Sequence, residues 1–171
     1  MANTYTLIAS STVGSGGAAT IAFTTIPQTY TDLLLKISGR TANADVDDFA
    51  LIKFNADTGS NYPYKQLRGN GSSATSNDGT LTSAALVRLN GDTSTASTFA
   101  SNDIYIPNYT GSTQKSASAD GVSENNATAA TASLWAALWT GTVAITDLTI
   151  TPNGGNFSQY STAYLYGISN S

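Results

Sequence analysis

Apolar side chains recur at every second residue along most of this chain, and that period most limits what it can fold into. Alternation sends successive side chains to opposite faces of an extended strand, whereas an amphipathic helix needs repeats at three and four. Residues 32–40 show it most clearly: Leu33, Leu35, Ile37 and Gly39 fall on one side, Leu34, Lys36, Ser38 and Arg40 on the other. The same pattern groups Ile21 with Phe23. It sets Ala50, Ile52 and Phe54 against Leu51 and Lys53, and Ala100, Asn102, Ile104 and Ile106 against Phe99, Asp103 and Tyr105. It runs on through Tyr62, Tyr64 and Gln66, a short strand at 86–89, and a small-residue strand at 116–125 with Ala117, Ala119 and Gly121 together. The chain opens with Tyr5 and Leu7 opposed to Thr4 and Thr6 in a half-buried strand. It closes with Tyr164, Tyr166 and Ile168 opposed to Ala163, Leu165 and Gly167.

Between these runs lie turn signals. Residues 13–17 are glycine-rich, Pro27 cannot donate to a ladder, and Asn90-Gly91 reads as a hairpin-type turn. Residues 69–80 are Gly, Ser, Asn, Thr, Ala and Asp with no large apolar side chain, which predicts a long exposed loop. Residues 143–151 read as one strand with a bulge near Asp147, where the alternation shifts. Residues 126–138 fit a strand and one short helical turn alike, because Leu134, Trp135, Leu138 and Trp139 satisfy both spacings. About ten short strands with turns between them, and no linker, predict a single all-β domain over residues 1–171. The form expected is a jelly-roll-like antiparallel β-sandwich, with residues 1–18 as an extended N-terminal strand or arm.

Chemistry is restricted by what is missing. There is no histidine, no cysteine and one glutamate, Glu124. The commonest general base, the usual nucleophile–base pairs and nearly every zinc or haem ligand set are therefore absent. No catalytic residue, metal or cofactor is expected. Seven lysines and arginines against eleven acids leave a net charge of -4, with no basic stripe to meet phosphates, so no nucleic-acid partner is expected. No apolar run approaches the roughly 20 residues a membrane helix needs, so no membrane is expected as a partner. The first residues carry neither a basic nor an apolar leader region, so synthesis in a cytoplasm is expected. Charged residues are 11% of the chain against roughly 25% in typical soluble domains. Hydroxyls and amides must supply most of the solvation, and such a surface suits a subunit of a packed assembly and an ordinary extracellular module alike.

Paired carboxylates are the one enzymatic chemistry left open. Asp45, Asp47 and Asp48 cluster, and Asp57, Asp103, Asp120 and Glu124 could converge as a glycosidase pair. Their Gly, Asn and Ser neighbours point instead to solvated turns. Residues 55–61 offer oxygens at alternate positions as a calcium loop would, but lack the EF-hand spacing and its closing glutamate. A polar turn accounts for the same residues. Asn-x-Ser/Thr triplets at Asn70, Asn108, Asn126 and Asn156 arise readily by chance in so Ser/Thr-rich a chain. Aromatic residues could stack on sugar rings; more often they fill a core or an interface.

Particular stretches resemble a family of small tailed-bacteriophage virion proteins. They are Tyr5-Thr6-Leu7-Ile8, the run from Phe23 through Ile26-Pro27-Gln28-Thr29-Tyr30-Thr31-Asp32-Leu33, and Phe54-Asn55-Ala56-Asp57-Thr58-Gly59-Ser60-Asn61-Tyr62. Ile104-Tyr105-Ile106-Pro107-Asn108-Tyr109, Glu124-Asn125-Asn126-Ala127-Thr128-Ala129 and Tyr164-Leu165-Tyr166-Gly167-Ile168 complete the set. The resemblance implies a β-sandwich on the particle surface, either a capsid decoration (cement) protein or part of a tail or fibre. It implies a homotrimer, the major capsid protein or other virion proteins as partners, and host carbohydrate as the ligand of a fibre module. Candidate interface residues are Tyr5, Leu7, Tyr105, Tyr109, Trp135, Trp139, Tyr164 and Tyr166.

Overall fold

The structure, a computed structural model, describes residues 4–123 and 130–169. Its strands are β1 (Tyr5–Thr12), β2 (Ile21–Phe23), β3 (Asp32–Gly39), β4 (Asp47–Phe54), β5 (Tyr62–Gly69) and β6 (Ala74–Leu81). They continue as β7 (Ala84–Asn90), β8 (Ala100–Ile106), β9 (Lys115–Val122), β10 (Ala132–Trp139), β11 (Leu148–Pro152) and β12 (Thr162–Ile168). Two antiparallel sheets result, a large one ordered β1-β12-β3-β8-β9-β10-β5-β6 and a small one ordered β2-β11-β4-β7. The chain changes sheet at every step except β5 to β6, β8 to β9 and β9 to β10. The quartet β1-β12-β3-β8 facing β2-β11-β4-β7 is the two-sheet winding of a jelly roll. Two strand pairs, β5–β6 and β9–β10, are inserted into that winding and widen the large sheet beyond β8.

The alternating faces of the sequence become the core. Leu33, Leu35 and Ile37 from β3, Ile104 and Ile106 from β8, and Ala163 and Leu165 from β12 form its large-sheet side. Ala50, Ile52 and Phe54 from β4, with Leu148 and Ile150 from β11, form its small-sheet side. Each large aliphatic side chain buried this way contributes about 1.5–3 kcal/mol. Strand β7, at the end of the small sheet, has every residue buried. Gly39 is glycine because a Cβ there would run into the side chain of Leu89 on β7.

Polar residues clasp the layers. Asn102 of β8 accepts from the Arg88 amide (2.6 Å) and donates to the Arg88 carbonyl (2.7 Å), which joins the two sheets through an inward amide. The Arg88 guanidinium, itself buried, pairs with Asp47 of β4, and Asp47 also receives Arg68 at 3.0 Å and the Thr131 hydroxyl at 3.2 Å. Burial lowers the Arg88 pKa, and the Asp47 carboxylate opposes that shift. Arg40 donates to the carbonyls of Asp92, Ser94, Thr95 and Thr98 and to the Ser94 hydroxyl, so one buried side chain holds the 91–98 connection.

Several sequence expectations are revised. Most of residues 69–80 is a strand: β6 pairs with β5 over all eight of its residues. It has no apolar pattern because neither face is covered. Asn90-Gly91 does not join a hairpin; it begins the crossing from β7 in the small sheet to β8 in the large one. Gly91 is needed for close approach, since a Cβ would strike the Asp45 carbonyl. Residues 143–147 are not strand. Asn55 takes the ladder's place, accepting from the amides of Thr146 (2.8 Å) and Asp147 (3.1 Å) and donating to the Ala144 carbonyl (2.7 Å). The ambiguous stretch resolves into β10 from Ala132 onward; residues 126–129 lie outside the described set. Residues 5–12 form an edge strand hydrogen-bonded along β12, with a bulge between Leu7 and Ala9.

Candidate interaction surface

Among the described residues no element covers the face of the large sheet turned away from the small sheet. Ladder registers place its side chains in rows. One row runs Leu7, Tyr166, Leu34, Tyr105, Ser118, Ala136, Lys65 and Asp78 from β1 across to β6. The next runs Ser10, Tyr164, Lys36, Asp103, Asp120, Leu134, Leu67 and Ser76. Tyr5 (56% exposed), Leu7 (51%), Tyr105 and Tyr164 make an aromatic patch at the β1 side. Leu67 (58%), Leu134 (59%) and Val122 make an aliphatic patch toward β6, around a shallow depression of about 590 Å³. Leu67 and Leu134 are directly opposed cross-strand partners.

Charge on this face is mostly paired. Lys36 meets Asp103, and Lys65 meets Asp78 at 2.9 Å; both pairs are exposed and so contribute little to stability. Asp120 lies directly opposite Asp103 and makes no ion pair among the described residues. The Tyr105 hydroxyl donates to Asp32 at 2.7 Å, and that bond, ahead of burial, raises the phenol pKa. Asp32 also accepts the Asn108 amide, so the ring of Tyr105 is fixed before any partner arrives.

Of the eight residues singled out in the sequence, Tyr5, Leu7, Tyr105, Tyr164 and Tyr166 share this outward face. The structure removes three from a surface role: Tyr109, Trp135 and Trp139 are buried. Trp139 packs on Phe54 with ring centroids 5.7 Å apart and donates to Asp57 at 2.7 Å; Trp135 packs on Tyr64. The Tyr109 hydroxyl donates to the Pro27 carbonyl. Leu67, Leu134 and Val122 are contact candidates that sequence reasoning misses. Leu134 alternates with Trp135, and where both faces of a strand are apolar the alternation does not say which is inside.

The aspartates scatter. Asp45 is exposed, Asp47 holds Arg88, and Asp48 accepts from the Thr41 hydroxyl and from the amides of Phe49 and Gly154. Asp57 accepts from the Gly59 amide, the Asn61 side chain and Trp139, which together hold its carboxyl below the usual carboxylate range, the Trp139 bond foremost. Residues 55–61 are thus a hydrogen-bonded turn whose one carboxylate is already engaged, and no group of three acids that could hold a metal exists among the described residues. Among the described residues only Asp103 and Asp120 of these candidates come together, on an open sheet surface. Glu124 and the Asn126 triplet lie outside the described residues. Lys115 is buried, donating to the carbonyls of Thr113 and Val143 beside the Trp139 ring, and burial lowers its pKa.

No protein-family model, curated protein or solved structure matches this chain. Two patches of exposed apolar side chains on one sheet, spaced by small and self-paired groups, are suited to docking against a surface.

Proposed function

We propose that this chain is a non-enzymatic structural protein of a tailed-phage particle, a decoration protein that binds the outside of the capsid and stabilises it. The reading is carried by the outward face of the large sheet. There Tyr5, Leu7, Tyr105, Leu67 and Leu134 stand exposed on a rigid, hydrogen-bonded scaffold, beside the ion pairs Lys36–Asp103 and Lys65–Asp78 whose charges already offset one another. Interface centres are enriched in aromatic residues in the same way. The jelly-roll winding, which recurs in viral capsid and lectin domains, agrees with it as analogy only. The partner is the major capsid protein, with each copy adding modest contacts that sum by avidity over a symmetric array.

The test compares particles with and without the protein, and particles carrying a Leu67→Ser/Leu134→Ser double variant. Loss of the protein is expected to lower the temperature of genome release, and the double variant to fail to restore it. Equal heat resistance in all three would sink the reading.

A second reading, a tail-fibre module binding host carbohydrate, is favoured by one observation. A depression of about 430 Å³ on the same face brings Tyr164 and Tyr166 beside Lys36, Asp103 and Asp120. Ring faces next to hydrogen-bonding groups are what a saccharide needs. Saturable, sugar-competed binding on a glycan array, with a copy number of a few dozen per particle, would favour it over cementing.

A further inference from the structure

A sheet that ends in an open strand invites pairing with another chain, and folded proteins blunt such edges by shortness, bulges, charged side chains (Lys above all) or Pro, or a covering element. Three of the four edges here are blunted. β2 has three residues. β1 carries a bulge between Leu7 and Ala9. β7 is wholly buried. The fourth, β6, has eight residues, all exposed, with no Lys, no Pro, an unbroken register along β5 and a single charge, Asp78, that Lys65 of β5 already meets.

The direction of its free amides follows from the hairpin. The Asn70 amide bonds to the Ser73 carbonyl at 3.2 Å, which makes 70/73 a hydrogen-bonded pair. Antiparallel ladders alternate bonded and non-bonded pairs, so 68/75, 66/77, 64/79 and 62/81 are bonded as well. Pro63, which has no N–H, falls opposite Thr80 at a non-bonded position, as this register requires. The amides and carbonyls of Ala74, Ser76, Asp78 and Thr80 therefore point out from the sheet edge.

From this geometry we propose that β6 pairs antiparallel with β6 of a second copy of this chain, through a two-fold axis at Asn77. In that register Ala74 faces Thr80 and Ser76 faces Asp78 of the second copy, and each reverse pair repeats them. All four outward residues then exchange hydrogen bonds, about eight in total at two per pair. Sliding the register by two residues loses a pair, and in one direction sets Asp78 against Asp78. The chosen register instead puts the Ser76 hydroxyl opposite the Asp78 carboxylate, which Lys65 of its own chain already neutralises. A two-fold, self-complementary contact is also the commonest closed assembly. The inference stands apart from the capsid reading, since it concerns only how copies meet.

Sedimentation velocity of the full chain over a concentration series tests it. A monomer–dimer equilibrium is expected. Ser76→Pro removes one outward donor per copy and no bond to β5, so it should weaken the dimer about tenfold or more while leaving circular dichroism unchanged. Because the chain has no cysteine, Asn77→Cys supplies a register probe. Residues facing each other at a non-bonded pair sit with Cα atoms about 4.5 Å apart, within disulfide reach, so this variant should oxidise to a covalent dimer. Thr75→Cys, placed opposite Gly79, should not. The proposal is overturned by a chain that stays monomeric throughout the series, including one whose β6 instead captures a strand of a different protein. A trimer indifferent to Ser76→Pro, or equal cross-linking at positions 75 and 77, overturns it as well.

Discussion

Strands β6 and β7 follow one another with only Thr82 and Ser83 between them, yet all eight residues of β6 are exposed and all seven of β7 are buried. Both have ladders with a neighbouring strand, so hydrogen bonding does not separate them. Among the described residues β6 has one neighbour, β5, and no opposing sheet; β7 pairs with β4 and packs across β3, β8, β9, β10 and β5 of the large sheet. The lesson is that strand formation and core formation are different events in this molecule. β7 specifies how the two sheets meet, and β6 leaves a templating edge at the rim.

That contrast can be tested from its stronger end downward. Leu89→Ala in β7 opens a cavity against Gly39 and should cost about 2–5 kcal/mol by denaturant unfolding. A cost under about 1 kcal/mol, the range of a mild core change, would mean that β7 is not the key of the sandwich. Asp47→Ala leaves the buried Arg88 guanidinium without its carboxylate and should cost about 3 kcal/mol, while Arg68→Ala, at the exposed end of the same cluster, should cost well under that.

The corner joining β4, β5 and β10 predicts the pH dependence. Asp57 has a folded pKa below its ordinary 3.8, so its stabilising contribution is present above that value and is lost as pH falls through the folded one. Burial pushes the Tyr62 phenol up to about 12, so the folded state holds that proton while the unfolded chain gives it up from about pH 10. Stability should therefore fall below pH 3.8 and again between about pH 10 and 12. It should be flat between about pH 5 and 8, where no histidine titrates. Asp57→Asn should flatten the acid limb, and a thermal-melt series in pH reads both limbs.

The smallest effect belongs to β6. Thr75→Ala and Asn77→Ala, both on exposed positions, should change unfolding free energy by less than about 0.5 kcal/mol. A loss comparable to Leu89→Ala would show that β6 is structurally coupled to the core and break the comparison outright.

How much is legible in the sequence varies with how local each determinant is. The inward sets of β3, β4 and β8 follow residue by residue, because a strand's own pleat assigns its two faces. The outward patch is half legible: aromatic and apolar content picks out Tyr5, Leu7, Tyr105, Tyr164 and Tyr166, but also Tyr109, Trp135 and Trp139, which the core claims. Composition marks an aromatic as buried or docking with equal ease, and only the opposing sheet separates the two. β6 reads as a loop since Ala-Thr-Ser-Asn-Asp-Gly-Thr has no apolar period to detect; its strand conformation comes from β5 alone.

Taken alone, the sequence determined the all-β class, the inner faces of the best strands and the absence of histidine and thiol chemistry, each set by residue identity or by neighbours one or two positions away. Tertiary structure decided the winding of β1-β12-β3-β8 over β2-β11-β4-β7, the burial of Arg88 and Lys115, and the bare edge at β6. Those depend on pairings between residues far apart in the chain, and a side chain's surroundings exist only once such pairings have formed.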